Sequence, residues 1–192
     1  MASRMAGGVE PRTNTAMLDP RHDPFIEQVK ADLAEGQAEL DRDEGREAGE
    51  TIETGMVKPP GRIAALLDAP ADEAMLCRRR LVRLDGEPSE IITWWLPAAL
   101  AEGTDLASLE PLTGGIRPHL ARRKGVRIDH VLEQITARHP TAQETRLLGV
   151  SKSAPILALY VTARDASGAP LLVLDIAMPG DRHELEDAYQ IG

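Results

Sequence analysis

The sequence predicts an α+β domain built on an antiparallel sheet. Three observations lead there: two pairs of β-prone runs each joined by a turn-forming tetrapeptide, short helical segments between the runs, and no regular β–α–β alternation. The first pair covers residues 75–84 and 89–96 and is joined by Asp85-Gly86-Glu87-Pro88. The second covers 155–164 and 170–178, joined by Asp165-Ala166-Ser167-Gly168, so the end of the chain repeats the hairpin logic of its middle.

The remaining elements follow in chain order. Residues 1–22 mix Gly, Pro, Ser, Thr and Asn without periodicity and read as a flexible tail or linker, leaving 23–192 as the domain. Asp23 offers an N-cap and Pro24 a first helical position, with Phe25, Ile26, Val29 and Leu33 at helical spacing. The acidic stretch 39–53 reads as a solvated loop or a poorly paired strand. Pro59-Pro60 breaks the chain, and 63–67 is a short helix ending before Pro70. Another short helix starts at 97–100. Gly114-Gly115 leads into an amphipathic helix over 116–124 that Gly125 stops. Residues 126–138 are a long candidate strand. Thr141 and Glu144 form a capping box that opens the helix carrying Leu147 and Leu148.

Composition narrows the functional classes. With 192 residues, 42% apolar and 28% charged, the chain can bury one sizeable core. Its formal charge is −9, and the clusters Arg78-Arg79-Arg80 and Arg122-Arg123-Lys124 lie outside any helix-turn-helix pattern. Gripping DNA requires concentrated Lys and Arg, so direct contact with DNA is not expected of this chain. The lone Cys77 precludes an internal disulfide framework and fits a reducing, cytoplasmic setting. No apolar run reaches the roughly 18–20 residues a membrane helix needs, and no signal-peptide core opens the chain. The five histidines show no metal-ligand spacing, and neither a nucleophile elbow nor a phosphate-cradling glycine loop is present. No cofactor, metal or catalytic residue is therefore expected.

Seven pieces stand in a recognisable order. They are Arg78-Arg79-Arg80 before Asp85-Gly86-Glu87-Pro88; Trp94-Trp95-Leu96-Pro97; Gly114-Gly115-Ile116; Glu133-Gln134-Ile135-Thr136-Ala137; Leu147-Leu148-Gly149-Val150; Ala154-Pro155-Ile156-Leu157; and Gly180-Asp181-Arg182. In this register the chain resembles the UTRA domain, the ligand-sensing module of the HutC subfamily of GntR regulators, and within it the actinobacterial members. The resemblance runs from about Met56 to Ile191, with Asp23 as its outer limit. It implies a chorismate lyase-like fold, a twisted antiparallel sheet with short helices packed around it and a ligand pocket against the sheet. It also implies a small-molecule effector, a homodimer, and contact with DNA only through a separate winged helix-turn-helix domain that these residues do not contain. Either the chain is a piece of such a regulator, which the nondescript first residues favour, or it is a stand-alone sensor.

Strand alternation places Arg78, Arg80 and Val82 on one face, and Glu90, Ile92 and Trp94 on one face of the partner strand. The resemblance makes Arg80 a ligand-facing arginine. It puts Val82 where relatives carry a second one, Ile92 where they carry a carboxylate, and Trp94 where they carry a small polar residue. Arg78, Arg80, Glu90, Trp94, Asp175 and His183 are thus the candidate ligand-binding residues. Arg offers a planar fork of donors, Glu90 or Asp175 an acceptor, and Trp94 a stacking wall. His183 stands where relatives often have Tyr.

Plainer roles are open for each: arginines paired across the sheet, Trp95 as core, Asp175 as an exposed strand residue, and His183 as a surface residue. The apolar exchanges, with Asp23-Pro24-Phe25-Ile26-Glu27 in place of phosphate-holding groups, favour a less charged, partly aromatic effector over a phosphosugar. Two other functions are carried forward. One is a ligand-free pairing module; the other is a chorismate lyase-like enzyme.

Overall fold

A computed structural model of the chain describes residues 49–112 and 115–185. The expected tail, the helix from Asp23, the first part of the acidic stretch and the 22/23 domain boundary lie outside them. The described elements are β1 (Gly49–Val57), α1 (Gly61–Leu66), β2 (Met75–Leu84), β3 (Glu87–Pro97), α2 (Ala98–Ala101), a 3₁₀ turn (Asp105–Ala107), α3 (Ile116–Lys124), β4 (His130–Arg138), α4 (Ala142–Leu148), β5 (Ile156–Arg164) and β6 (Pro170–Pro179).

The strands form one six-stranded sheet in the order β1-β2-β3-β6-β5-β4, with every neighbouring pair antiparallel. The chain runs β–α–β–β twice, and the two halves meet where β3 pairs with β6.

Local chemistry accounts for the expected elements. The β2–β3 turn holds Asp85 at φ 52° and Gly86 at φ 85°, the left-handed pair that a two-residue hairpin needs to match strand twist. In the β5–β6 turn, Asp165 Oδ1 accepts from the Ser167 N–H at 2.8 Å and the Ala169 N–H at 3.0 Å, closing the loop without a sheet partner. The capping box is complete. Thr141 Oγ1 accepts from the Glu144 N–H at 3.2 Å, and the Thr141 N–H donates to Glu144 Oε2 at 2.7 Å. Arg138 forks onto the same carboxylate at 2.7 and 2.6 Å. Burial alone would raise the Glu144 carboxyl, but the Arg138 fork and the Thr141 N–H outweigh it and hold the group below its usual range.

Of the two readings of the acidic stretch, the poorly paired strand holds for residues 49–53: they begin β1, an edge strand whose register to β2 shifts between Thr51 and Glu53. The reason is Arg79, which pairs with Glu53 and gives this acidic end a cation to lie against. The strand expected from 126 begins only at His130. Its partner β5 ends at Arg164, so residues before Asp129, whose N–H donates to Arg164 O at 2.8 Å, have nothing to pair with. Val126 and Ile128 still pack on the core beneath.

Each face of the sheet is covered. On one, Leu76, Ile92, Trp94, Leu96, Leu172, Leu174 and Ile176 pack against Leu106, Leu112, Ile116 and Leu120. This is the α3 face. On the other, Cys77, Leu81, Ile91, Trp95, Val173 and Ala177 pack against Ile63 and Leu67 beside α1 and Leu148 of α4. This is the α1/α4 face. Trp94 and Trp95, adjacent in sequence, go to opposite faces as strand alternation requires, and both are buried.

Candidate functional site

The α3 face gathers four of the six candidate residues. Across the β2–β3 pair Arg78 lies opposite Trp94, Arg80 opposite Ile92, and Val82 opposite Glu90. Arg78 is only 1% exposed, and its guanidinium is committed to protein oxygens. Nη1 donates to Leu106 O at 3.2 Å and to Ser108 O, and Nη2 to Glu110 O at 2.8 Å and Thr51 Oγ1 at 3.1 Å. Arg78 therefore clamps the 105–110 loop to the sheet by taking up carbonyls that no strand or helix satisfies. Arg80, also buried, donates from Nη2 to Gly49 O at 3.1 Å. A side chain at Gly49 would meet that same nitrogen at 3.0 Å, so the small residue at the start of β1 leaves room for the guanidinium.

Trp94 is 7% exposed, and its indole Nε1 has no hydrogen-bond partner among the described residues. A fifth residue belongs beside these, and reading the sequence did not single it out. His119 of α3 sits with Ile116 and Leu120 on the buried side of the helix, 7% exposed, and its Nε2 has no hydrogen-bond partner among the described residues. Burial lowers its pKa, with Arg123, Arg122 and Arg78 adding to the effect against Asp105. Its signal in the sequence was slight: one polar side chain between two apolar ones on a helix. An open groove of about 700 Å³ between the loop and α3 is lined by Ser108, Glu110, Leu112, His119, Arg122 and Arg123. Its lining is mostly polar and charged; His119 belongs to it, while Arg78, Arg80, Glu90 and Trp94 do not line it.

The other two candidates lie elsewhere. Asp175 pairs with Thr93 and Tyr160 and so occupies the α1/α4 face, away from Arg80 and Trp94. Burial pushes its carboxyl up to about 6, against Arg138 and Arg79. His183 is half-buried after β6, within 3.1 Å of Ser89 Oγ and of Pro179 O, while Arg182 donates to Pro88 O at 3.1 Å. Together they fasten the chain beyond β6 to the start of β3. Among the described residues no three His, Cys, Asp or Glu side chains converge as metal ligands would, and no helix is long and apolar enough to cross a membrane.

Six antiparallel strands with short helices on both faces give the α+β fold of the chorismate lyase-like effector domains. Residues 44–184 match the UTRA domain family, and the chain belongs to it. The chain is similar, at 29% identity over 123 residues, to an uncharacterised HTH-type transcriptional regulator of Streptomyces coelicolor, matching 62% of this chain and 45% of that protein. It thus spans about half the length of that relative. Among solved structures, a GntR-family regulator from Bacillus cereus aligns with TM-score 0.65 at 16% identity, covering 74% of this chain and 97% of that one. The effector domain of PhnF from Mycobacterium smegmatis aligns with TM-score 0.64 at 18% identity, covering 81% and 94%. At such identities the likeness establishes the fold.

Proposed function

We propose that this chain is the effector-sensing and dimerisation domain of a HutC-type GntR regulator. It binds a small molecule on the α3 face, and a separate winged helix-turn-helix domain makes the contact with DNA. The observation that carries the reading is the pair of buried, unsatisfied polar groups on that side of the sheet, the Trp94 indole Nε1 and the His119 Nε2. Such groups cost free energy when no partner meets them, and a bound effector supplies one.

Arg78 lies opposite Trp94 in register and acts through the loop it clamps, while Arg80 and Glu90 occupy the next two same-face positions along the β2–β3 pair. With Val82 and Ile92 apolar, the effector is a weakly charged, partly aromatic metabolite rather than a phosphosugar. Neither Asp175 nor His183 has a part in this site.

Thermal-shift screening with sugar phosphates and with aromatic or hydrophobic metabolites tests this. Stabilisation by the second set, lost in Trp94→Phe and His119→Leu, is expected; stabilisation by sugar phosphates alone would overturn it. A ligand-free pairing module is the second reading, favoured by Ile92, Trp94 and Leu96 packing in one cluster with Leu112 and Ile116. Native mass spectrometry separates the two by reporting a co-purified small molecule and the dimer together. Turnover of chorismate to 4-hydroxybenzoate would replace both readings with an enzyme.

A further inference from the structure

The α1/α4 face carries a second concentration of buried polar groups. One row across the sheet, in register on all six strands, reads Glu53, Arg79, Thr93, Asp175, Tyr160, Gln134. Its β1–β3 end is bonded: Arg79 pairs with Glu53 and its Nε donates to Thr93 Oγ1 at 3.2 Å, while Gln143 of α4 donates to Glu53 at 3.1 Å. Farther along, the Arg62 guanidinium of α1 lies 4.2 Å over the Tyr160 ring. The adjacent row reads Cys77, Trp95, Val173, Thr162.

Three polar atoms in these two rows have no hydrogen-bond partner among the described residues: Asp175 Oδ1, Trp95 Nε1 and Thr162 Oγ1. Trp95 is 3% and Thr162 0% exposed. They surround one residue. Val173 lies between Trp95 on β3 and Thr162 on β5, and Asp175, two residues along β6, is the diagonal neighbour of both. Diagonal positions stand roughly 7–8 Å apart, a span that one bridging group can close. The chemistry is complementary, with a donor at the indole, an acceptor at the carboxylate and a hydroxyl that does either.

We propose that the α1/α4 face encloses a binding site over Val173 for a hydroxyl-bearing molecule, which accepts from the Trp95 N–H, donates to Asp175 Oδ1 and is completed by the Thr162 hydroxyl. Ordered water and a small polyol share this chemistry. The site is separate from the effector side of the sheet, and its test does not depend on that reading. The high carboxyl of Asp175 agrees with a group shielded from bulk solvent on this face, where Arg62, Arg79, Arg138 and Glu144 are its charged neighbours.

The near-isosteric Thr162→Val separates the outcomes. In an occupied site it removes a ligand of the bound molecule, and the melting temperature falls by about 3–5 °C. In an empty site it removes a buried unpaired hydroxyl, and the melting temperature rises; that result overturns the proposal. The occupant is read from the Trp95 indole proton in solution NMR, assigned by comparison with Trp95→Phe. A long-lived cross-peak to the water resonance identifies water, and a cross-peak to glycerol protons at 100 mM glycerol identifies a polyol. Absence of both cross-peaks, with the indole proton assigned, also overturns it.

Discussion

Arg78 shows how one residue changes meaning between sequence and structure. Its face was legible, because alternation along β2 fixes which side chains look the same way. Its role was not, because the carbonyls it holds belong to a loop 28 to 32 residues away. A fully buried guanidinium that serves the backbone is costly to remove. Arg78→Leu is expected to destabilise the domain by about 3 kcal/mol in urea titrations, since the stranded carbonyls lose charged donors. Arg78→Lys recovers only part, because an ammonium cannot fork.

Asp175 gives a pH prediction at the same scale. A carboxyl whose folded pKa, about 6, lies above its unfolded value binds a proton more tightly when folded. Its contribution is therefore fully present below about pH 4 and is lost as pH rises through 6. His119, with a lowered pKa, works the other way and loses stability as pH falls through its unfolded value. The two overlap, so the Asp175 part is read as a difference. Between pH 7 and 5 the melting temperature of the parent should rise relative to that of Asp175→Asn, and parallel curves would refute the raised carboxyl.

At the scale of elements, what could be read from the sequence was what is local. The β2–β3 turn, the Gly125 stop after α3 and the Thr141–Glu144 box are each decided within a few residues, and each is found where the pattern puts it. Thr141→Ala should cost about 1 kcal/mol, seen in thermal or chemical melts, because the Glu144 N–H loses its acceptor. Glu144→Gln should cost more, since it weakens both the cap and the Arg138 fork. The two edge strands were the least legible. β1 lies in an acidic stretch that read as loop or strand, where Arg79 and Gln143 meet Glu53, and β4 starts late because its partner turns away. Edges are where pairing, not pattern, sets the boundary.

For the whole molecule, the sheet joins its two β–α–β–β halves through the β3–β6 pairing, whose central pairs put Trp94 and Leu174 on one face, Trp95 and Val173 on the other. Neither half can bury both surfaces alone. Fragments 49–125 and 126–185, each expressed separately, should give collapsed amide spectra without dispersion; a folded half would contradict the shared core. Membership of the UTRA family was readable because seven weak signals kept their order, and the match over residues 44–184 agrees with it.

The sequence by itself determined the two hairpins, their turns, the Thr141–Glu144 cap and the α+β class, because those follow from side-chain period and from backbone chemistry within a few residues. It also determined that Arg78 and Arg80 share a face of β2, and Glu90 and Trp94 a face of β3. Only the tertiary structure decided that Asp175 faces the opposite way, that His119 lies buried on the α3 side, and that Arg78 serves a loop. Those facts rest on which strands pair across the sheet centre and which helix covers which face. Such pairings join residues far apart in the chain and leave no local trace.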